Sequence, residues 1–386
     1  MKVSQRAQAV EPSLTRRLFN MAKDYDNVID LTLGDPDLPT PENIKEAGCK
    51  AIWDNRTRYS ANAGLVEVRE AVAARVRREW KVDCDPNANL ILTVGGMEAL
   101  YLTLACTVDP GDEVVVFAPY YVNYVQMIRV CGGVPVIVDA YDDTKGMVID
   151  ETALRAHITD KTVGVILNSP NNPTGALLSR EDLYTVAKVA QEKNLLIISD
   201  EVYRTLIFDN KSHESVLQFS EAQNRTVLVD SMSKEYCMTG WRIGFAYAPA
   251  ELIQNMVKMQ ENIVACAALP SQYAMLEAYT NGNQQNADIL TEFQKRRDYL
   301  YQLLMDIPGL YCVKPQATFY LFLNIRNTGM TSLEFANALL KAKQVAVVPG
   351  EAYGSQYVDY VRIAFTKDCA LLKNAATRIR EFVKGE

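Results

Sequence analysis

The sequence predicts an α/β protein: a large domain with a mostly parallel seven-stranded sheet flanked by helices, plus a smaller α+β domain. Three observations carry this. From about residue 90 to 250, short apolar runs alternate with helix-like stretches. Most of these runs are apolar throughout instead of alternating, as in a sheet covered on both faces. After residue 250 the alternation gives way to long helical stretches and isolated strands.

The strand candidates, in order, are LILTVG (90–95), EVVVFAP (113–119), GVPVIVD (133–139), VGVILN (163–168), LLIISD (195–200), TVLVDS (226–231) and GFAYAP (244–249), most of them apolar throughout. Between them, MEALYLTLAC reads as a helix. SREDLYTVAKVAQEKN reads as another, opening with a serine cap followed by acidic residues. A long helical stretch (251–279) leads to the amphipathic ADILTEFQKRRDYLYQLLMDI (287–307). Strands ATFYLFLNI (317–325) and VAVVP (345–349) and a C-terminal helix follow. The expected division is an N-terminal segment, 1–45, joining the small domain; a large domain, 46–280; and a small C-terminal domain, 281–386.

At 386 residues, with 48% apolar and 23% charged residues, the composition is that of a soluble globular protein. A net charge of −7 and the lack of a long basic run argue against a nucleic-acid surface. The N-terminus has no apolar core of signal-peptide type, and the apolar stretch 262–276 is too short to span a bilayer and contains Pro270. A cytoplasmic location without membrane contact is expected. None of the eight cysteines forms a CxxC, so free thiols are expected instead of a disulfide framework or a zinc site. The only histidines, His157 and His213, lie in polar surroundings, which disfavours a histidine triad or a multi-histidine metal centre.

No GxGxxG follows a strand, and GxxxxGK[ST], GxSxG and HExxH are absent. Ser231 and Lys234 fit S-x-x-K, but no K-T-G accompanies them. The polar residues that matter stand at strand ends, where open α/β sheets bind ligands. VGGMEAL (94–100) puts two glycines between a strand and a helix, either a tight turn or a place where amides approach an anion. NSPNNPTG (168–175) presents Asn171 and Asn172 on a proline-stiffened loop. IISDEVY (197–203) ends an apolar strand in Asp200, which needs a cation, structural or bound. SMSKEYCMTGWRIGF (231–245) clusters two serines, Lys234 and Arg242.

Together these residues match the needs of pyridoxal 5'-phosphate: a lysine for its aldehyde, an acid facing its pyridine nitrogen, a phosphate cup, and donors for its ring oxygen. The Gly96 and Met97 amides with Ser231, Ser233 and Arg242 would form the cup, and Asp200 would face the nitrogen. Tyr203 and Asn172 would bond the ring oxygen, Tyr121 would stack on the ring, and Lys234 would be the covalent anchor.

In motif content the chain resembles, over nearly its whole length, a class I aminotransferase of the pyridoxal-phosphate fold type I family, aspartate/aromatic aminotransferase-like. The resemblance lies in LGDPDLPTP (33–41), YSANAGLVEVREAV (59–72), VGGMEAL, DPGDEVVVFAPYYVNY (109–124), NSPNNPTG, SDEVY, SMSKEYCMTGWRIGF, VVPGEAYG (347–354) and YVRIAF (360–365). It implies that Lys234 forms the internal aldimine and later moves the substrate proton, with Asp200 and Tyr203 beside it as catalytic residues. It implies that Arg362 grips the α-carboxylate, helped by Gly34 and Asn172, and that Tyr59 reaches the cofactor phosphate of a neighbouring subunit in a homodimer. The activity expected is ping-pong transfer of an amino group from an L-amino acid to a 2-oxo acid, with nearby Arg242 and the ring cation lowering the Lys234 pKa. Met97 stands where some relatives that act on acidic substrates carry a lysine, and Tyr121 where several carry a tryptophan. Both favour neutral, sulfur-containing or aromatic donors over strict aspartate specificity, while an arginine from elsewhere could bind an acidic side chain and leaves aspartate open. A carbon–sulfur β-lyase using the same cofactor and a non-catalytic binding protein are the alternatives.

Overall fold

The computed structural model describes residues 2–8, 10, 11, 14, 20, 21 and 25–386. The rest of the expected joining segment 1–45 lies outside the described residues. All seven strand candidates form strands: β1 (Leu90–Thr93), β2 (Glu113–Ala118), β3 (Val134–Asp139), β4 (Thr162–Asn168), β5 (Leu196–Asp200), β6 (Thr226–Ser231) and β7 (Gly244–Tyr247). They make one sheet in the order β1-β7-β6-β5-β4-β2-β3. Every pairing is parallel except those of β7, which runs antiparallel to both β1 and β6. The apolar sequence of these strands is explained by burial on both faces: every residue of β6 and β7, and even of the edge strand β1, is buried. One face packs the cluster of Val115, Leu167 and Ile197; the other packs Val116, Ile166 and Ile198.

Local signals place the flanking helices. Ser179 caps Arg180–Lys193 in a reciprocal box: its hydroxyl accepts from the Asp182 amide while the Asp182 carboxylate accepts from the Ser179 amide at 2.8 Å. Gly95, at φ +75, turns β1 into helix Gly95–Thr107. The helical stretch expected at 251–279 is two helices, Ala250–Ile263 and Leu269–Asn281. Ala265 between them adopts φ +64, and Pro270, whose ring cannot continue an upstream helix, sits in the first turn of the second.

The amphipathic stretch expected at 287–307 is Asn283–Met305. It packs through Ile289, Phe293, Leu300 and Leu304 into a core shared with the small sheet. That sheet has three strands, not two: β8 (Tyr320–Asn324), β9 (Val348–Pro349) and β10 (Tyr360–Ala364), in the order β8-β10-β9. Val345–Ala346 separates from β9 and pairs in parallel with Ile29–Asp30. Beyond that pair, Leu31 accepts from the Ala364 amide at 2.9 Å, which ties the segment to β10. Cys84, Cys237 and Cys312 are buried thiols, whereas Cys106 and Cys266 are only half-buried. Among the described residues no helix is long and apolar enough to cross a membrane.

Candidate active site

A cavity of about 410 Å³ opens at the carboxyl ends of β5 and β6, between the seven-stranded sheet and the three-stranded one. Asp200 and Tyr203 reach it from the end of β5; Ser231, Ser233 and Lys234 reach it from the end of β6. Because β7 is reversed, Arg242, just before it, arrives at the same rim. Gly96 and Met97 come from the first turn of the helix after β1, Tyr121 from the loop after β2, and Asn172 from the loop after β4. Gly34 and Arg362 close the cavity from the other side. Tyr59 does not join them; it lies on the surface at 86% exposure.

Lys234 Nζ donates to the Gly34 carbonyl at 2.7 Å and lies 5.5 Å from the centre of the Phe319 ring. Its pKa is lowered to about 8, chiefly by burial; Arg242 and Arg362 push the same way and Asp35 opposes them. Desolvation therefore outweighs the neighbouring cations that the sequence had pointed to.

Asp200 is buried, and Tyr124 Oη donates to its Oδ2 at 2.6 Å. The Val202 amide approaches Oδ1 at 3.3 Å, and the Asn168 side chain holds the Asp200 carbonyl. Burial nevertheless raises the carboxyl to about 6, against the pull of those bonds. No cation among the described residues pairs with it. Tyr203 Oη lies 3.1 Å from Tyr320 Oη, and burial pushes both phenols up.

Arg362 is buried at the centre of the small sheet. Its Nη1 donates to Asn172 Oδ1 at 3.1 Å and its Nη2 donates to the Thr32 carbonyl. The guanidinium stands 4.3 Å from the Tyr320 ring centre and 5.2 Å from that of Tyr353, and its buried Nε has no partner. A buried cation without a counter-ion is costly, so the arrangement is built for an anion.

On the opposite wall, Arg242 Nη1 donates to the Thr239 carbonyl at 2.7 Å, and the Ser231 and Ser233 hydroxyls lie 2.9 Å apart. A Cβ on Gly95 would stand 2.7 Å from Arg242 Nη2, so only glycine lets the guanidinium lie over the helix start. Tyr121 packs edge-on against Tyr124, with ring centres 5.4 Å apart, and accepts from Asn123 at 2.9 Å beside the Met97 sulfur.

The model of the family described as "Aminotransferase class I and II" matches residues 26–379. The chain belongs to this family. The aminotransferase is 37% identical to an aspartate aminotransferase of Pyrococcus abyssi, over 100% of this chain and 99% of the relative. It is 36% identical to aromatic-amino-acid aminotransferase 2 of Thermococcus litoralis, again over 100% and 99%. Among solved structures, aspartate aminotransferase from Thermus thermophilus with maleate superposes with a TM-score of 0.94 at 34% identity, covering 99% of each chain.

The family's cofactor is pyridoxal phosphate, and the cavity of this aminotransferase fits it. The uncompensated Asp200 carboxyl suits a protonated pyridine. The helix start at Gly95–Met97, with Arg242 and two serine hydroxyls, suits a phosphate. Lys234 supplies the amine.

Three contributors were not singled out in the sequence: Tyr124, Tyr320 and the carbonyl of Thr32. Tyr124 stands within the quoted APYYVNY run, three residues after Tyr121. Its amide donates back to the Tyr121 carbonyl at 3.0 Å in the turn that opens helix Asn123–Val130, and the spacing was the available signal.

Proposed function

We propose that this aminotransferase exchanges the amino group of an L-amino acid with a 2-oxo acid by a ping-pong route, with Lys234 as anchor and proton carrier and Arg362 as carboxylate grip. The convergence of Lys234 and Arg362 on one cavity carries this reading: an amine with a pKa near 8 faces a buried guanidinium that still has an unused donor. Bound pyridoxal phosphate supplies an aldehyde that captures amines and a ring that withdraws electrons from the α-carbon. Near neutral pH a useful fraction of Lys234 is uncharged, so its Nζ can take a proton from that carbon and return one. Gly34 holds the amine by a single hydrogen bond until it is needed. Asp200 is the counter-ion for the pyridinium, and Tyr203 and Asn172 offer donors to the ring oxygen.

Apart from Lys234, Arg242 and Arg362, no cation among the described residues lines the cavity. Met97, Leu100 and Tyr121 line part of the remaining wall. This supports neutral or aromatic donors, and an acidic donor would need a cation from beyond the described lining of the cavity. The two relatives, named for aspartate and for aromatic amino acids, bracket the same choice.

A homodimer is part of the proposal. Tyr59 is a bulky aromatic left in solvent, which supports its serving a neighbouring subunit. We also propose that residues 46–280 and 281–386, the latter joined by 1–45, are the two domains meeting over the cavity.

The test is to mix cofactor-loaded protein with single amino acids and follow its visible spectrum. Conversion of the band with stoichiometric oxo acid establishes half-transamination and ranks the donors. Pyruvate and ammonia with the band unchanged would make the protein a lyase. Failure of borohydride to fix the cofactor on Lys234 would overturn the site assignment.

A further inference from the structure

We propose that Arg204 is a positioning residue for this site, a buried brace joining the segment that carries Asp200 and Tyr203 to the segment that carries Ser231, Ser233 and Lys234. The inference rests on the reading of the site given above, and none of the groups in the brace lines the cavity.

Two buried carboxylates bracket the lysine turn. Asp230 immediately precedes Ser231, Glu235 immediately follows Lys234, and both are almost inaccessible to solvent. A single guanidinium meets both. Arg204 Nε donates to Asp230 Oδ2 at 2.8 Å, and its Nη2 reaches Glu235 Oε2 at 3.4 Å. The third branch, Nη1, pairs with Glu79. Arg204 directly follows Tyr203, so whatever fixes its backbone also fixes the strand end that presents Asp200. The other oxygen of Asp230 accepts the Ser231 amide at 2.7 Å and so orients the first serine of the cup. Arg75 pairs with the remaining oxygen of Glu235 and lies 3.0 Å from Glu79. Each guanidinium lies against one aromatic ring, Arg204 at 4.5 Å from the Trp80 ring centre and Arg75 at 4.2 Å from that of Tyr279.

A charged cluster this deep gives little stability over apolar packing of the same volume. It does impose direction, because a guanidinium fork fixes the angle as well as the distance of each partner. Lysine at this position keeps the charge but cannot hold three carboxylates in one plane. Glutamine at 235 keeps the size and removes the charge at the lysine end.

The experiment compares the native protein with Arg204→Lys and Glu235→Gln. Fold is checked by circular dichroism, cofactor dissociation by dialysis and fluorescence, and the Lys234 linkage by the pH at which the visible band titrates. Steady-state rates complete the set. Positioning predicts folded variants that release the cofactor about tenfold faster or more. It also predicts a shifted titration midpoint and a kcat that falls while KM for the amino donor stays near the native value. If Arg204→Lys does not fold, Glu235→Gln decides by the same readouts. A folded variant with native cofactor retention and native titration overturns the proposal and leaves the brace a purely structural device. Native protein that does not bind the cofactor at Lys234 would instead sink the site reading beneath it.

Discussion

Replacing Arg362 by methionine separates what this side chain does for the substrate from what it does for the fold. The residue is 4% exposed, and its guanidinium meets two neutral acceptors, Asn172 Oδ1 and the Thr32 carbonyl. Burying an unpaired charge costs several kcal/mol. Abandoning the two acceptors costs about 1–3 kcal/mol each. These nearly cancel, so cofactor-free Arg362→Met should melt within about 4 °C of the native protein. The substrate has no such compensation. A carboxylate held by two charge-assisted hydrogen bonds at about 1.5–3 kcal/mol each loses roughly 3–6 kcal/mol. That is a fall of roughly 10² to 10⁴ in kcat/KM. The assay is the single-turnover half-reaction with an L-amino acid, beside the matching amine that lacks the α-carboxylate. Calorimetry of both proteins supplies the stability arm. A loss below about tenfold, or an equal loss for the amine, would refute the assignment of Arg362 as the carboxylate grip.

Three further outcomes follow from the same geometry. Asp200 has a folded pKa near 6, above its unfolded value, so in cofactor-free protein its burial penalty is absent below about pH 4 and fully present above pH 6. Asp200→Asn should therefore stabilise cofactor-free protein at pH 8 by up to roughly 3 kcal/mol and do nothing at pH 4 while abolishing turnover; equal melting shifts at both pH values would contradict this. Lys234 has a folded pKa near 8, below its unfolded value, so amine-reactive labelling of cofactor-free protein at this residue should rise with a midpoint near pH 8, and a midpoint at 10 by mass spectrometry would sink the claim. Tyr124→Phe removes the 2.6 Å hydrogen bond that favours ionised Asp200, so it should lower kcat by about tenfold with little change in KM for the donor; rates that match the native enzyme would show that the bond is idle.

The large sheet was legible because its strands are apolar on both faces, a pattern that an exposed strand or a helix does not share. The strand bearing Arg362 was not read as one, because an arginine in its middle breaks the apolar run that marks buried strands. Its burial makes sense only once Asn172 and Thr32, far away in sequence, supply acceptors. The break at Ala265 was hidden for a different reason. Alanine favours helices, and only tertiary packing holds it at positive φ. Residues with distinctive chemistry, such as Lys234 and Asp200, announced themselves. Tyr124 and Tyr320 did not, because a buried tyrosine looks the same in sequence whether its hydroxyl serves a carboxylate or merely fills the core.

The reversal of β7 has an effect on how this catalyst is wired. Parallel neighbours require a crossover that carries the chain to the far end of the sheet and back. Between β6 and β7 no such journey occurs, so the chain leaves and re-enters at the same rim. Ser231, Ser233, Lys234 and Arg242 therefore sit on one uninterrupted connection, like contacts on a single plug. The opposite end of β7, at Tyr247, faces away from the cavity. Loops there are free to lengthen or diverge, whereas within the plug a change in length moves Lys234, both serines and Arg242 together.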